Sequence, residues 1–269
     1  MMKMKRKILA ALLCALLTLS LLSACGQKDG GGDLLAAIQE KGEIVVALEG
    51  TWAPWGYHDG SGELVGYDVE IARAIAEKLG VTPVFVEGEF NGLLAGLEAR
   101  RYDIMVNGVD IDESRKEKYD FSVPYAYNRT AVIVRGDDDS IRSMEDLRGK
   151  STANTLQSTY ASVAKAYGAE VTGVDDFIQT IELLTSGRID ATLNAEVSFY
   201  DYMAQHPEAN VKIACLDPEA TQVAIPMRKG EETAALREAI DQVLAEMAES
   251  GSLTELSVKY FGTDISRAQ

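Results

Sequence analysis

An α/β fold in two lobes is the class this chain predicts, and three observations predict it. Short β-branched runs alternate with segments whose apolar residues return at helical spacing. The alternation breaks at Gly136-Asp137-Asp138-Asp139 and then starts again. The 269 residues, 46% apolar and 25% charged, have globular proportions, which exclude a disordered chain, a collagen-like repeat and a polytopic membrane protein.

The chain opens on an address. Lys3, Lys5, Arg6 and Lys7 form a basic head, residues 8–22 an apolar run, and Leu22-Ser23-Ala24-Cys25 a small-residue close, the order of a secretory signal. At about fifteen residues the run is shorter than the roughly 20 that cross a bilayer as a helix. Small residues directly before a cysteine resemble the bacterial lipobox, which implies cleavage after residue 24 and a diacylglycerol on Cys25. Residues 25–33, with Gly30-Gly31-Gly32, read as a flexible tether. Cys14 leaves with the signal and Cys215 remains alone, so no intrachain disulfide is expected and the core must hold the fold. The formal charge of -16 deepens by four when the leader goes, which makes nucleic acid an unsuitable partner.

The first lobe begins with a short amphipathic helix, Leu34–Lys41, and a β-branched strand, Glu43–Leu48. Similar apolar runs at residues 81–86 and 103–106 read as further buried parallel strands. Between them, residues 69–79 place Ile71, Ile75 and Leu79 on one helical face, and residues 90–99 do the same with Leu93, Leu94 and Leu97. After the acidic break come a turn at 143–147, a strand at 151–155, helices near 158–167 and 176–186, and short strands at 191–193 and 211–214. A last section runs from residue 222 into helices at about 231–249 and 252–260.

Catalytic chemistry is hard to find. The only histidines are His58 and His206, in unrelated contexts, and no G-x-S-x-G, H-E-x-x-H, C-x-x-C or phosphate-loop motif occurs. Asp137-Asp138-Asp139 lacks the ligand spacing of a calcium loop and reads as a solvated charge run. Asn128-Arg129-Thr130 is a glycosylation sequon in letters only. No metal and no cofactor is expected.

Several segments carry a resemblance. Gly66-Tyr67-Asp68-Val69-Glu70-Ile71 is followed by Phe90-Asn91-Gly92-Leu93-Leu94, Arg101-Tyr102-Asp103-Ile104, residues 107–115 and Asp120-Phe121-Ser122-Val123-Pro124-Tyr125. Later come residues 156–160 and 186–194. In order, spacing and type these resemble the polar amino-acid-binding proteins of ABC importers, the family 3 extracellular solute-binding proteins. The resemblance covers about residues 43–261. It implies a type II periplasmic binding protein fold, two lobes joined by hinge crossings near 127–134 and 218–223. Lobe 1 would comprise 34–130 and 223–269, and lobe 2 would comprise 131–222. In the first block, Asp68 and Glu70 stand near a helix N-terminus, whose dipole favours acids.

The resemblance also implies a ligand set. Arg115 matches the arginine that grips the ligand carboxylate, a planar bidentate task suited to a guanidinium; otherwise it is a surface partner of Asp112 or Glu113. Ser158 and Thr159 open a helix whose free N–H groups favour an anion, or simply cap it. Asn107, Gly108 and Asp110 follow a strand, and the last two match positions that face the ligand ammonium. Trp52 and Phe90 match aromatics that sandwich the ligand side chain, with Trp55 and Tyr57 as possible further walls; all four are also good core residues. Glu49, at a strand end, matches a position facing the ligand side chain or is a surface charge. Gln157 and Asn194 complete the set with Glu196. One departure concerns the residue after Asn194: relatives commonly carry an aspartate there for the ammonium, and here it is Ala195. Either Asp110 and Glu196 take over, or the solute is not a standard α-amino acid.

The implied function is capture of a polar amino acid, cystine-like by the stretches 154–160 and 191–202, and delivery to the permease and ATPase of an importer. The protein would be an extracytoplasmic, lipid-anchored monomer at the bacterial membrane. Rival readings are an exported dehydratase, with Glu49, Asp110 or Glu196 as general acid, and a ligand-sensing or adhesive lipoprotein.

Overall fold

The computed structural model describes residues 32–268; the leader, Cys25 and most of the tether lie outside the described residues. From the N-terminal side come α1 (Leu34–Lys41), β1 (Glu43–Leu48), β2 (Thr51–Trp52), β3 (Gly56–His58), β4 (Leu64–Val65), α2 (Tyr67–Leu79), β5 (Thr82–Glu87), α3 (Phe90–Glu98), β6 (Ile104–Met105), the single turn α4 (Glu113–Lys116), β7 (Tyr119–Phe121) and the long β8 (Ala126–Arg135). There follow β9 (Ser151–Asn154), α5 (Thr159–Ala166), β10 (Glu170–Gly173), α6 (Phe177–Thr185), β11 (Ala191–Ala195), α7 (Glu196–Gln205), β12 (Val211–Val223), β13 (Pro226–Arg228), α8 (Ala234–Ser250) and α9 (Ser252–Phe261).

The two lobes are built on two sheets, and each sheet reverses its strand order once. In the first, β1 lies between parallel β5 and β6. The chain leaves β1 to one side and returns on the other. The second sheet has the order β10-β9-β11-β8-β12, with β9 likewise between β10 and β11. Where connections diverge in this way, a crevice opens at the carboxyl ends of the strands. Glu49 and residues 106–110 stand at that edge of one sheet, Thr155 and Asn194 at that edge of the other.

Both faces are covered at the inner strands β1, β8 and β11, which is why these read as apolar runs. The edge strand β5, expected to be buried, has Thr82, Val84 and Glu87 exposed, and β10 is largely exposed as well. In β1, Ile44 and Val46 pack with Ile71 and Ile75 of α2 and with Leu236 and Ile240 of α8, while Ala47 meets Phe90, Leu93 and Leu97 of α3. In β8, Val132 and Val134 share a cluster with Tyr160 and Ala164 of α5, while Ala131 and Ile133 meet Ile181 and Leu184 of α6. Each fully buried large aliphatic contributes about 1.5–3 kcal/mol. The C-terminal helices α8 and α9 return to the first lobe, where α8 packs on α1 and α2.

Several elements differ from the sequence expectation, which gave no strand at β7 or β10. Residues 51–65 form the antiparallel meander β2-β3-β4, with strands too short for any periodicity to show. β12 does not stop at residue 214. It runs to Val223 beside β8, from Val211 opposite Arg135 to Val223 opposite Ala126, with an irregularity between Leu216 and Ala220 that accommodates Pro218. The expected crossing segments are thus hydrogen-bonded neighbours. Residues 196–205 form α7, which the sequence did not announce.

Asp68 also departs from its simple reading. It sits in the first turn of α2 but is buried, and its Oδ1 accepts from the Tyr125 hydroxyl at 2.7 Å while Oδ2 has no partner. Gly66, just before α2, has φ +133°, and a Cβ there would come within 2.2 Å of the Trp55 carbonyl oxygen; only glycine fits this turn.

Candidate functional site

Glu49 extends from the end of β1 and is fixed by Asn107, just beyond β6. The Asn107 Oδ1 accepts from the Glu49 backbone N–H at 2.7 Å, and its Nδ2 donates to Glu49 Oε2 at 2.8 Å. One amide therefore ties two strand ends together and aims a carboxylate into the crevice. Loss of hydration and the nearby Asp176 charge push the Glu49 carboxyl up to about 7, against the Asn107 bond that lowers it. Next in the chain, Gly108 takes φ +54° beneath Trp52, where a Cβ would stand 2.7 Å from the indole. Trp52 stacks on Trp55 at 5.4 Å.

Arg115 comes from α4, whose N-cap Asp112 accepts the Arg115 backbone N–H at 2.9 Å and meets its Nε at 3.3 Å. The guanidinium is buried. Its Nη1 donates to the Asp110 carbonyl oxygen at 2.8 Å and to Thr159 Oγ1 at 2.9 Å, and its Nη2 donates to the Gln157 carbonyl oxygen at 2.9 Å. Its carbon Cζ lies 5.6 Å from the centre of the Phe90 ring. One cation from the first lobe thus holds two residues of the second.

Asp110 is buried beside it and accepts from Thr221 Oγ1 at 2.6 Å. Burial raises its carboxyl, while the Thr221 bond and the Arg115 charge act in the opposite direction. A charge-assisted acceptor next to a guanidinium gives the site both signs a zwitterion needs.

The opposite wall belongs to the second lobe. Ser158 caps α5, its Oγ accepting from the Ala161 N–H at 3.1 Å, and Asp176 caps α6 by accepting from the Gln179 N–H at 2.9 Å. Asn154, at the end of β9, donates to the Leu193 carbonyl oxygen at 2.7 Å, while its Oδ1 is buried without a partner. A second link crosses the cleft where Gln157 N–H donates to Asn91 Oδ1 at 3.0 Å.

The cleft encloses about 570 Å³ of empty space, part of it open to solvent. The expected residues Glu49, Trp52, Phe90, Gly108, Asp110, Arg115, Ser158, Thr159 and Asn194 all line it. Asn107 and Gln157 stand behind that lining and hold Glu49 and Arg115 in place. Glu196 stands outside that lining: its carboxylate pairs with Arg129, at 2.8 Å from Nη2, and accepts from Tyr200. As the first residue of α7 it turns with the helix rather than with the strand. Trp55 belongs to the core, not to the wall, and Tyr57 is in β3 outside the lining. Asn154, Thr155, Asp176 and Phe177 line the cleft but were not singled out as contacts. Their signal was positional, since Asn154 ends β9, Thr155 follows it, and Asp176 and Phe177 open α6. None of the lining residues is His, Cys or Lys, and no group of three or more His, Cys, Asp or Glu is placed to hold a metal among the described residues.

The sequence profile of the bacterial extracellular solute-binding proteins, family 3, matches residues 44–263. The L-cystine-binding protein TcyA of Bacillus subtilis (strain 168) is 37% identical over 276 residues, which cover 98% of this chain and 100% of that one. Among solved structures, an ancestral arginine-binding protein bound to arginine superposes with a TM-score of 0.76 at 37% identity, covering 82% of this chain and 99% of that one. The L-cystine solute receptor of Neisseria gonorrhoeae, in its unliganded open conformation, gives 0.60 at 37% identity, with 88% and 100% covered.

Proposed function

The chain belongs to the bacterial extracellular solute-binding proteins, family 3, and from that premise we propose that it captures a polar α-amino acid by closing its lobes and hands it to an ABC importer. The observation that carries this reading is Arg115, buried at the cleft and bonded to Thr159 and Gln157 of the opposite lobe. A solute shifts an open–closed equilibrium only through contacts it makes differently in the two states. A carboxylate on Arg115 that also reaches the N-terminus of α5 meets that condition.

In this reading Arg115, Ser158 and Thr159 take the solute carboxylate. Asp110 and the Gly108 carbonyl take its ammonium, the role that Ala195 cannot fill. Trp52 and Phe90 flank the side chain, with Glu49, Asn107, Gln157 and Asn194 completing the shell. Lobe 1 comprises residues 34–130 and 223–269, lobe 2 comprises 131–222, and the paired strands β8 and β12 serve as the hinge. Cystine is the first solute to try, supported by the near full-length similarity to TcyA.

Cys25 would carry the lipid that anchors a monomeric receptor beside its permease; Cys25→Ser should release it from membranes without unfolding it. The chain acts as a binder, not an enzyme. Glu49 is a group in the cleft whose carboxyl is pushed up to about 7, so recovery of the bound solute unchanged tests that point. Thermal-shift screening of the twenty amino acids with cystine, ornithine and citrulline, followed by calorimetry, tests the capture reading; no stabilisation by any of them would end it.

A further inference from the structure

The short segment that carries Asp110 is bonded to the strand β12. The Ile111 N–H donates to the Gln222 carbonyl oxygen at 2.8 Å and the Ala224 N–H to the Val109 carbonyl oxygen at 3.0 Å, so Asp110 stands opposite Val223 in an antiparallel bridge. Thr221 lies two residues before Val223. Across a pleated pair, residues offset by two share a face and stand as diagonal neighbours. That relation puts the Thr221 hydroxyl against Asp110, and its Oγ1 donates to Oδ1 at 2.6 Å.

The same hydroxyl lies 3.1 Å from the carbonyl oxygen of Asn128, the residue that Thr221 faces in the β8-β12 ladder. A threonine has one hydroxyl hydrogen to give. The nearer acceptor, when it is a carboxylate, draws that hydrogen more strongly than a backbone carbonyl does. Asp110 lines the cleft and Thr221 does not. Burial raises the Asp110 carboxyl, and the Thr221 bond is the foremost contact acting against it, ahead of the Arg115 charge and the Thr159 hydroxyl. Thr159 sits on α5 in the second lobe, so lobe opening would carry it away from Asp110. Thr221 would stay, because the backbone bonds on either side of Asp110 tie the two segments together.

Building on the capture reading, which gives Asp110 the solute ammonium, we propose that Thr221 is a positioning residue for that contact: its hydroxyl aims the Asp110 carboxylate into the cleft and so sets the preference for solutes with an α-ammonium. Ala195 explains the need for it. With no acid at that position, the ammonium depends on a buried carboxylate, and such a group remains a charged acceptor only while hydrogen bonds and nearby cations hold it ionised. Released from Thr221, Asp110 would take up a proton more readily and offer a neutral acceptor. A neutral site has less to distinguish an amino acid from its des-amino analogue.

Thr221→Val removes the hydroxyl with little change of volume, and Thr221→Ser restores it. Calorimetry on the full chain pairs L-cystine with dithiodipropionate, which lacks both ammonium groups, and pairs any other amino acid retained by the thermal-shift screen with its des-amino acid. The unaltered protein should prefer the amino acid by about a hundredfold or more. Thr221→Val should reduce that ratio about tenfold through weaker binding of the amino acid, and Thr221→Ser should recover most of it. A carboxyl NMR titration of the solute-free protein reads Asp110 directly. Its midpoint should move up in the valine variant, since Arg115 and Asp112 of α4 and Tyr160 of α5, which also face it, are unaltered. A purely structural threonine would weaken both members of a pair equally and leave the midpoint in place. Either result would overturn the role given to Thr221 while leaving amino-acid capture intact; failure of every amino acid to bind would overturn both.

Discussion

Arg115 donates from Nη1 to Thr159 Oγ1 at 2.9 Å, and with Nη2 to the Gln157 carbonyl oxygen it joins the two lobes. Its Nε and Nη1 hydrogens are engaged by Asp112, Asp110 and Thr159. One Nη2 hydrogen has no acceptor among the described residues, so a solute carboxylate that grips the fork bidentately would use it and take over at least one further contact, such as that of Gln157 or Thr159. In the proposed capture the same guanidinium would serve as latch and as receptor.

Removal of that fork should be felt in affinity far more than in folding. Arg115→Ala should weaken amino-acid binding by about 2–4 kcal/mol, because a carboxylate would lie unpaired in the cleft. Arg115→Lys keeps the charge but cannot span acceptors from three directions, and should recover only part of the loss. Calorimetry reads both, and near-normal affinity in the alanine variant would remove Arg115 from the site.

Gly108→Ala should cost both stability and binding. The position has φ +54°, and the added Cβ would stand 2.7 Å from the Trp52 ring. Strain of this kind costs about 1–3 kcal/mol. The indole has little room to retreat, since it stacks on Trp55. A lower melting temperature together with weaker solute binding is expected. An unchanged affinity would mean that Trp52 does not shape the solute pocket.

How far the sequence anticipates this site follows from what each residue depends on. Arg115 was singled out by the family resemblance alone, and Gly108 and Thr159 also because one follows a strand and the other opens a helix. The sheets were legible because β1, β5 and β6 are apolar runs bounded by helices. The pairing of Glu196 was not legible because a strand end and a helix start are adjacent there: α7 begins at Glu196 itself and carries its carboxylate to Arg129. Asn154 and Asp176 read as ordinary polar residues, and only the meeting of β9 with the start of α6 brings them to the cleft. β12 was cut short because Pro218 interrupts an otherwise continuous pattern, a proline that the structure admits at a register shift.

The contact of Asn91 Oδ1 with the Gln157 N–H at 3.0 Å spans the cleft without any solute atom. Asn91→Ala should destabilise the closed form by about 1 kcal/mol. Small-angle scattering of the ligand-free protein should then show a larger radius of gyration, and the solute should dissociate faster. If scattering and off-rate both stay as they were, the contact has no part in closure.

The ligand-free protein should lose stability as pH rises toward neutrality. Burial raises the carboxyls of Glu49 and Asp68 to about 7 from ordinary values of 4.5 and 3.8. Between those limits the folded state holds protons that the unfolded state has released. Stability therefore falls with rising pH: the contribution is complete below about pH 4 and is gone once pH has passed through about 7. Together the two groups account for a difference on the order of a few kcal/mol. The carboxyls of Asp138, Asp146 and Asp190 are held low by hydrogen bonds from neighbouring serines and backbone N–H groups, and they act in the opposite sense only at more acid pH. The melting temperature should thus decline between about pH 5 and pH 7.5. His58, raised by Glu87, shares that direction, so the variants isolate the carboxyls. Asp68→Asn keeps the acceptor for Tyr125 and Glu49→Gln keeps one for Asn107, and each should flatten the slope. A slope unchanged in the double variant would show that neither acid holds its proton in the folded protein.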